Sequence, residues 1–309
     1  MKIVVVGFGW VGQANALALK LSGENVFFFD PKEPELHYAK AYTSIYAQIP
    51  RLTSVLEKDA ADTCYIVCVG DKVADDGMQD ISAINKALSS LLDTKGTVVL
   101  RSTIIPGSLK DLQFDFYLPE FLHEKNAVPE CSSPHFFVIG TRNRKPEPAF
   151  FADWQRRAYK TFRGTPEEAS YIKYLSNLWN ALRIAFVNEY GDVIKKPQNQ
   201  DDVREIERVI DFIFDGKFYM RYGKAFGGHC LPKDTRAFIR AARDRGIETP
   251  LLEGTYKTNE MHRKMQTESI LPEWFSAWEK PMLSGRAALQ ALIAATARRL
   301  RSPFSRRSL

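Results

Sequence analysis

The stretch Lys2-Ile-Val-Val-Val-Gly-Phe-Gly-Trp-Val-Gly12 decides the fold of the first half of the chain. Residues 2–6 form a short, apolar, β-branched run, which is typical of a parallel strand buried on both faces. A G-x-G-x-x-G turn follows directly, and residues 11–21 have the apolar spacing and the strong helix formers of an α-helix. Strand, glycine-rich turn and helix in this order predict a dinucleotide-binding βα unit.

The three glycines have separate predicted roles in that unit. Gly7 permits the tight turn, Gly9 lets backbone N–H groups approach a pyrophosphate, and Gly12 allows the helix to pack closely on the strand. Trp10 and Val11 open the helix, whose N-terminus favours an anion, so we expect them beside the cofactor as well. A bare G-x-G-x-x-G is often an ordinary turn, but its position between a strand and a helix favours the cofactor site.

Asp30 supports the same prediction and selects the cofactor. It ends a second apolar strand, residues 26–29, about twenty residues beyond the glycines, where this motif expects a carboxylate on the ribose hydroxyls. The carboxylate would repel the 2′-phosphate of NADP, and the sequence shows no compensating arginine beside it. NAD is therefore the predicted cofactor.

Alternating strand-like and helix-like runs continue to about residue 164. They predict a doubly wound, parallel, Rossmann-type α/β domain over residues 1–164, with ligands beyond the carboxyl ends of its strands. Residues 101–107 and 119–124 fall at such ends, and Thr103 and Glu120 are their candidate site residues. Two alternatives stay open here, a helix cap for Thr103 and a solvated loop residue for Glu120.

From Pro166 onward the apolar positions recur at three- and four-residue intervals, which predicts an all-α domain over residues 165–272. Lys173 and Asn177 are four residues apart and so project from one face of its first helix. A solvated lysine and a mid-helix asparagine are the alternative interpretation. The apolar surroundings favour a functional pair, because an asparagine there costs helix propensity without local reward.

The segment Gly227-Gly228-His229-Cys230-Leu231-Pro232-Lys233-Asp234 indicates a nucleophile. The two glycines allow the backbone to bring a cysteine close to a ligand, and Lys233 and Asp234 place a cation and a carboxylate beside it. A nearby cation favours the thiolate, which is the nucleophilic form. The alternative is a buried, inert cysteine.

Charge and cysteine content exclude several classes of function. The 309 residues carry a net charge of +6, but seven Lys/Arg and no acid lie in 280–309, which leaves 36 basic against 37 acidic residues before them. We therefore predict no nucleic-acid partner. Cys64 and Cys68 lie in an apolar run and are interpreted as core residues, so no metal is expected. With no disulfide framework, no signal peptide and no apolar run of the ~20 residues that span a bilayer, a cytoplasmic protein is expected.

Five motifs, in this order along about residues 1–270, resemble those of the UDP-glucose/GDP-mannose dehydrogenase family. They are residues 7–12, 101–107, 119–124, the Lys173/Asn177 helix through Asn188-Glu189, and residues 227–234. Glu-Phe-Leu-x-Glu at 120–124, combined with the Cys230 segment, is most similar to family members that act on UDP-glucose. GDP-mannose and N-acetylated sugars remain open alternatives.

The resemblance implies a NAD-dependent oxidation of UDP-glucose to UDP-glucuronate by two hydride transfers, with a role in polysaccharide biosynthesis. It implies that Cys230 forms a thiohemiacetal and then a thioester. It further implies that Lys173 stabilises the oxyanion, that Asn177 helps to bind it, and that Asp234, with a water near Thr103, handles the alcohol proton.

The remaining implied roles concern hydrolysis, ligand contacts and assembly. Glu120 would assist hydrolysis of the thioester, and the long helices of the central domain would form a homodimer. The residues implied to contact the substrate are Glu120, Phe121, Leu122, Glu124, Lys173, Asn177 and Gly227. Thr103 and Glu124 are implied to contact the cofactor as well.

Three departures from the family pattern are visible. Val69-Gly70-Asp71-Lys72 stands where relatives carry Val-Pro-Thr-Pro, and the arginine lent to a neighbouring subunit is matched only weakly, by Arg221 or Lys217. The family's C-terminal nucleotide-sugar-binding domain has no counterpart, because about forty residues after 270 cannot make an independent α/β layer structure. We therefore expect weak binding of the nucleotide sugar by this chain.

Residues 273–309 are predicted to be a basic, poorly ordered tail. The alternative is a helix over 286–300 that contacts a membrane surface or a partner. We favour a disordered terminus, or a sequence foreign to the gene, over that helix. Two other functions are also open. One is a NAD-binding, dimerising relic without turnover, and the other is a β-hydroxyacid dehydrogenase, which would not need Cys230.

Overall fold

A computed structural model describes residues 1–123, 126–143, 145–214, 219–220, 222–228 and 230–268. Its described residues divide into two compact units. The first contains residues 1–71 and 81–171, and the second contains residues 72–80 and 172–268. Residues 269–309, on which the predictions of a basic tail and of a missing third domain fall, lie outside the described residues.

The described part of the first unit contains a seven-stranded sheet with the order β2-β1-β3-β6-β7-β8-β9. Neighbouring strands are parallel except for β7 and β8, which pair antiparallel. The strands are β1 (Lys2–Val6), β2 (Asn25–Phe29), β3 (Thr63–Val67), β6 (Thr97–Leu100), β7 (Phe116–Tyr117), β8 (Phe136–Thr141) and β9 (Lys160–Gly164). The mostly parallel sheet confirms the predicted Rossmann-type fold.

Helices pack against this sheet and complete the α/β layers. Those of the first unit are α1 (Trp10–Leu21), α2 (Ala39–Tyr46), α3 (Ser82–Ser89), a 3₁₀ helix (Pro106–Asp111), α4 (Ala127–Ser132) and α5 (Phe150–Arg157). Ile3, Val4 and Val5 of β1 are fully buried, which explains why the strand has no polar face. Cys64 and Cys68 are buried in the same core, and burial raises the pKa of both thiols above the ordinary value.

The second unit is mainly helical, as predicted for the region after Pro166. Its helices are α6 (Pro166–Ile194), which begins in the first unit, α7 (Gln200–Phe214), α8 (Cys230–Arg243) and α9 (Pro250–Glu268). The start of α6 is a capping box with Pro166 in the first helical turn. The Thr165 hydroxyl accepts a hydrogen bond from the Glu168 N–H at 3.2 Å, and the Glu168 carboxylate accepts one from the Thr165 N–H at 2.8 Å.

A short hairpin of β4 (Lys72–Val73) and β5 (Gln79–Asp80) also belongs to the second unit. Asp76 pairs with Arg240 of α8 at 2.8 Å. Gly77, at φ +88°, brings its backbone so close to α8 that an added Cβ would lie 2.5 Å from the Arg236 carbonyl oxygen. The segment after Val69, which departs from the family pattern, thus leads into a strand pair that rests on the helix that begins at Cys230.

No helix in the described part of the chain combines the length and the apolar character needed to cross a bilayer. Within the same residues, no group of three or more His, Cys, Asp or Glu side chains is arranged to hold a metal ion.

Candidate active site

The glycine-rich turn has the geometry of a pyrophosphate cradle. Gly7 adopts φ +88°, and an added Cβ would lie 3.0 Å from the Val69 side chain. A Cβ on Gly12 would lie 2.0 Å from the Gly7 carbonyl oxygen, so no larger residue fits between β1 and α1. Around Gly9 no described atom lies within 4 Å of such a Cβ, and this N-cap residue of α1 has no side-chain cap. The turn therefore leaves room for an anion at the start of α1, where the first N–H groups of a helix have no partner within the helix.

Trp10 and Val11 lie in the first turn of α1, as predicted. The Trp10 indole stacks on the His37 ring, with centroids 4.1 Å apart and planes 6° apart. The Tyr38 ring packs edge-on against the same indole at 5.3 Å. Trp10 is still 38% exposed, so this aromatic group borders the glycine-rich turn and keeps an accessible face.

Asp30 is oriented by two backbone donors at the end of β2. Its carboxylate accepts hydrogen bonds from the Phe8 N–H at 2.8 Å and from the Lys32 N–H at 2.9 Å. Arg51 donates to the Asp30 and Lys32 carbonyl oxygens at 2.9 Å each and pairs with the Glu33 carboxylate. An arginine does therefore lie beside Asp30, contrary to the sequence analysis. The sequence could not show it, because a long-range bridge between residues 28 and 51 brings it there.

We expect the cofactor preference to depend on Asp30. Asp30→Ala should weaken NAD binding by about ten- to hundredfold, since hydrogen bonds to a charged group contribute about 1.5–3 kcal/mol. Isothermal titration with NAD and NADP measures both affinities. Asp62→Ala is the matched control, because Asp62 precedes β3 at the other end of the sheet and forms a surface ion pair with Lys2. Tighter binding of NADP than of NAD to the unmodified chain would refute the assignment.

Glu120 lies in a buried cluster of polar side chains, so the alternative of a solvated loop residue was wrong. Its carboxylate forms an ion pair with Arg101 and accepts a hydrogen bond from Asn15 Nδ2 of α1 at 2.8 Å. Glu120 is 7% exposed, Arg101 6% and Asn15 fully buried. The Arg101 guanidinium also lies over the Trp154 ring, 5.0 Å from its centroid. Sequence reasoning missed Arg101 and Asn15, although a polar residue on the apolar face of α1 was a visible signal.

The neighbouring site candidates of the first unit occupy separate positions. Thr103 is half-buried in the loop after β6 and does not cap the 3₁₀ helix, whose N-cap is Ile105, so the cap alternative was wrong. Phe121 packs edge-on against Phe136 with centroids 5.3 Å apart, and Leu122 packs on the core of the sheet. The candidates Glu124, Lys217 and Arg221 lie outside the described residues, as does His229.

In the second unit, four polar side chains form one connected buried cluster. Lys173 Nζ donates to Asn177 Oδ1 at 3.2 Å, and Asn177 Nδ2 donates to Asp234 Oδ2 at 2.6 Å. Lys233 Nζ donates to the other Asp234 oxygen at 2.6 Å. All four residues are at most 8% exposed, so the alternative of a solvated lysine was wrong for Lys173. Two lysines and one carboxylate leave this cluster with a net positive charge when all are ionised, which suits a developing oxyanion.

Cys230 is the first residue of α8, four residues before Asp234. It is exposed, whereas Cys64, Cys68 and Cys131 are buried, so the alternative of a buried, inert Cys230 was wrong. Gly227 and Gly228 precede it, and Gly228 adopts φ +70°, which a larger residue rarely adopts. An exposed thiol thus lies in the same helical turn as a carboxylate of the buried cluster.

Comparison with known proteins identifies the family. Residues 1–163 match the model of the UDP-glucose/GDP-mannose dehydrogenase family, NAD binding domain, and residues 167–261 match that of its central domain. The chain belongs to this family. It is a family of NAD-dependent nucleotide-sugar dehydrogenases, so the predicted cofactor, NAD, is confirmed. The glycine-rich turn and Asp30 fit that cofactor.

Individual relatives include enzymes named for different sugars. The chain is 29% identical over 300 residues to GDP-mannose 6-dehydrogenase of Pseudomonas putida. The aligned region covers 84% of this chain and 68% of the relative. It is 28% identical over 298 residues to UDP-glucose 6-dehydrogenase of Campylobacter jejuni, and that aligned region covers 88% of this chain and 75% of the relative. A solved UDP-glucose dehydrogenase of Pyrobaculum islandicum superposes with a TM-score of 0.71 at 25% identity and covers 89% of this chain and 71% of that one.

Proposed function

We propose that this chain oxidises the primary alcohol of UDP-glucose to a carboxylate in two successive oxidations, with a covalent adduct on Cys230 between them. One observation carries the proposal. The buried cluster of Lys173, Asn177, Lys233 and Asp234 joins α6 to the first turns of α8, and α8 also presents the exposed Cys230 thiol at its first residue. A nucleophile, a hydrogen-bonded carboxylate and buried cations are the parts that such an oxidation needs.

The first oxidation requires removal of the alcohol proton. Asp234 is the proposed acceptor, through a water near Thr103, and its two oxygens already accept hydrogen bonds from Asn177 and Lys233. These donors orient the carboxylate for the proton transfer. The glycine-rich turn and Asp30 would hold NAD, which would supply the acceptor for the hydride that the carbon loses when the aldehyde forms.

The second oxidation uses Cys230. Its thiolate attacks the aldehyde carbon, a C–S bond forms, and the carbonyl oxygen becomes the oxyanion of a thiohemiacetal. Lys173 and Asn177 are proposed to stabilise that oxyanion with an ammonium and an amide N–H. Loss of a second hydride, for which a second molecule of NAD would be the acceptor, gives the thioester, and water then adds to its carbonyl carbon and breaks the C–S bond. The products are the carboxylate and the regenerated thiol, and Glu120 is proposed to assist the water.

UDP-glucose is the proposed substrate because residues 120–124 and 227–234 resemble the motifs of family members that act on it. Two of the similar proteins are also named for that sugar. GDP-mannose is the second candidate, on the name of the Pseudomonas relative. Mass spectrometry of the products from a panel of nucleotide sugars tests the choice. An acid formed from GDP-mannose but not from UDP-glucose would reverse it.

The comparisons do not support the two competing hypotheses from the sequence, the β-hydroxyacid dehydrogenase and the relic without turnover. A β-hydroxyacid dehydrogenase is excluded, since both family models that match are those of nucleotide-sugar dehydrogenases. The relic without turnover is not supported either, because the described candidate residues retain the contacts that the proposed chemistry uses.

We also propose that the chain forms a homodimer through α6. One side of that helix exposes large apolar residues at intervals of three, four and seven, which is the pattern of a covered face. They are Leu175, Trp179, Phe186, Tyr190 and Val193, exposed by 68, 55, 53, 49 and 80%. A second copy of the same helix is the occupant that the family resemblance implies.

The double variant Leu175→Asp and Trp179→Asp should convert the dimer to a monomer, because two charges would replace apolar side chains in the N-terminal half of the exposed face. Sedimentation equilibrium measures the mass directly. The matched control is Leu92→Asp, which changes an apolar residue of similar exposure, 62%, in the first unit. A monomeric unmodified chain, or a double variant that stays dimeric, would contradict the assignment of α6.

A further inference from the structure

The segment 222–228, which leads to Cys230, is held through its backbone by two buried asparagines. Asn188 of α6 is fully buried, and its Oδ1 accepts a hydrogen bond from the Gly223 N–H at 2.7 Å. Its Nδ2 donates to the Lys224 carbonyl oxygen at 2.9 Å. One side-chain amide therefore satisfies a backbone donor and a backbone acceptor on adjacent residues.

Asn259 of α9 makes the same kind of paired contact closer to the cysteine. Its Oδ1 accepts from the Phe226 N–H at 2.7 Å, and its Nδ2 donates to the Phe226 carbonyl oxygen at 3.0 Å. Asn259 is 1% exposed and Phe226 3% exposed. The Phe226 side chain packs with Ala181, Ile184 and Ala185 of α6, so this residue is fixed by both its backbone and its side chain.

The start of the segment is anchored as well. The Tyr222 hydroxyl donates to Asp192 Oδ1 of α6 at 2.6 Å. Its ring lies directly on the α6 backbone, because a Cβ on Gly191 would be 2.0 Å from it. Three points along the segment, at residues 222, 223–224 and 226, are thus tied to α6 or α9.

The anchoring matters because Gly227 and Gly228, which follow Phe226, have little backbone stiffness of their own. Only Gly227, Gly228 and His229 separate Phe226 from Cys230, and glycine has the largest backbone freedom of any residue. A reacting atom displaced by about 1 Å can lose about a hundredfold in rate. The sulfur position must therefore be set from outside the glycines, and the nearest fixed point on their N-terminal side is Phe226.

We propose that Asn188 and Asn259 are positioning residues for the covalent step, which hold the segment before Cys230 so that its sulfur stays at the first position of α8. The inference rests on the proposed function for its kinetic consequence. The effect of the two asparagines on Cys230 passes through the backbone of residues 223–226.

The test compares Asn188→Ala and Asn259→Ala with a control that joins the same helices without touching the segment. That control is Thr258→Ala, which removes the hydrogen bond from the Thr258 hydroxyl of α9 to Glu189 of α6 at 2.7 Å. Asn188→Ser and Asn259→Ser are made in parallel as a second pair of variants, because their small polar side chains can pair with a water that also reaches the backbone groups. Circular dichroism establishes which variants are folded.

The first measurement does not depend on turnover. Alkylation of Cys230 by iodoacetamide, followed by mass spectrometry of its peptide, is expected to slow by about two- to fivefold in the folded asparagine variants, because the sulfur leaves the helix N-terminus that favours its thiolate. Thr258→Ala should react like the unmodified chain. An unchanged or faster reaction in folded Asn188 and Asn259 variants would overturn the proposal.

The second measurement follows the products of turnover. In the asparagine variants, formation of the acid should fall by about ten- to hundredfold while the first oxidation continues, so trapped aldehyde accumulates. Equal loss of both oxidations would mean a merely structural role and would also overturn the proposal. If the unmodified chain oxidises no nucleotide sugar, the proposed function fails, and the alkylation rates alone still decide whether the asparagines position Cys230.

Discussion

Replacement of Cys230 by serine is expected to lower formation of the sugar acid by at least about a thousandfold, because a hydroxyl is a far weaker nucleophile than a thiolate. The first oxidation does not need the sulfur, so an aldehyde should form and be captured by a carbonyl-trapping reagent. The exposed position of Cys230 at the start of α8 makes it accessible to that aldehyde. Liquid chromatography with mass detection separates aldehyde from acid.

The control for this variant is Cys131→Ala. Cys131 is 2% exposed and belongs to the core of the first unit, so its loss should cost stability but leave the ratio of acid to aldehyde unchanged. Undiminished acid production by Cys230→Ser would remove the cysteine from the mechanism. Loss of acid in both variants would show that the effect is not specific to Cys230.

Arg101→Met is expected to destabilise the first unit by about 3–5 kcal/mol, because it leaves the Glu120 carboxylate buried without its ion-pair partner. That loss is a large fraction of the free energy of unfolding of a typical native protein, which is about 5–15 kcal/mol. Both partners are less than a tenth exposed, so water cannot replace the guanidinium at little cost. Urea denaturation followed by tryptophan fluorescence reports the change, since Trp154 lies under Arg101.

Two further variants separate the effect of burial from the effect of charge. In Arg101→Met with Glu120→Gln the unpaired charge is gone, and most of the lost stability should return. Arg163→Met removes a pair with Glu147 whose arginine is 47% exposed, and it should cost less than about 1 kcal/mol. Equal losses in Arg101→Met and Arg163→Met would contradict the claim that the pair with Glu120 is buried and mutually dependent.

The fold of the first unit could be predicted where sequence-local patterns determine it. The apolar run of β1, the glycines and the helical spacing of α1 are all contained in the first 21 residues. The two-residue strands β4, β5 and β7 could not be predicted, because strands so short carry no periodicity of their own. Long-range pairing alone defines them, as where residues 116–117 of β7 lie between β6 and β8.

In the candidate site, too, local patterns could be predicted from the sequence and long-range contacts could not. The spacing of Lys173 and Asn177 on one helix, and the neighbourhood of Cys230 and Asp234 on another, were visible in the sequence. The partners that hold Glu120 were not, since Arg101 and Asn15 are 19 and 105 residues away from it. Asn188 and Asn259 each reach backbone groups 33 to 36 residues distant, a relation that no local pattern encodes.

The yield of NADH per molecule of UDP-glucose consumed tests the central claim most directly. Two oxidations at one carbon, joined by a cysteine adduct, predict two NADH per sugar, with the acid as product and no aldehyde released. Absorbance gives the NADH, and chromatography of the same samples gives the sugar consumed, at several concentrations of UDP-glucose. One NADH per sugar with released aldehyde, or no NADH with any nucleotide sugar tried, would contradict the account.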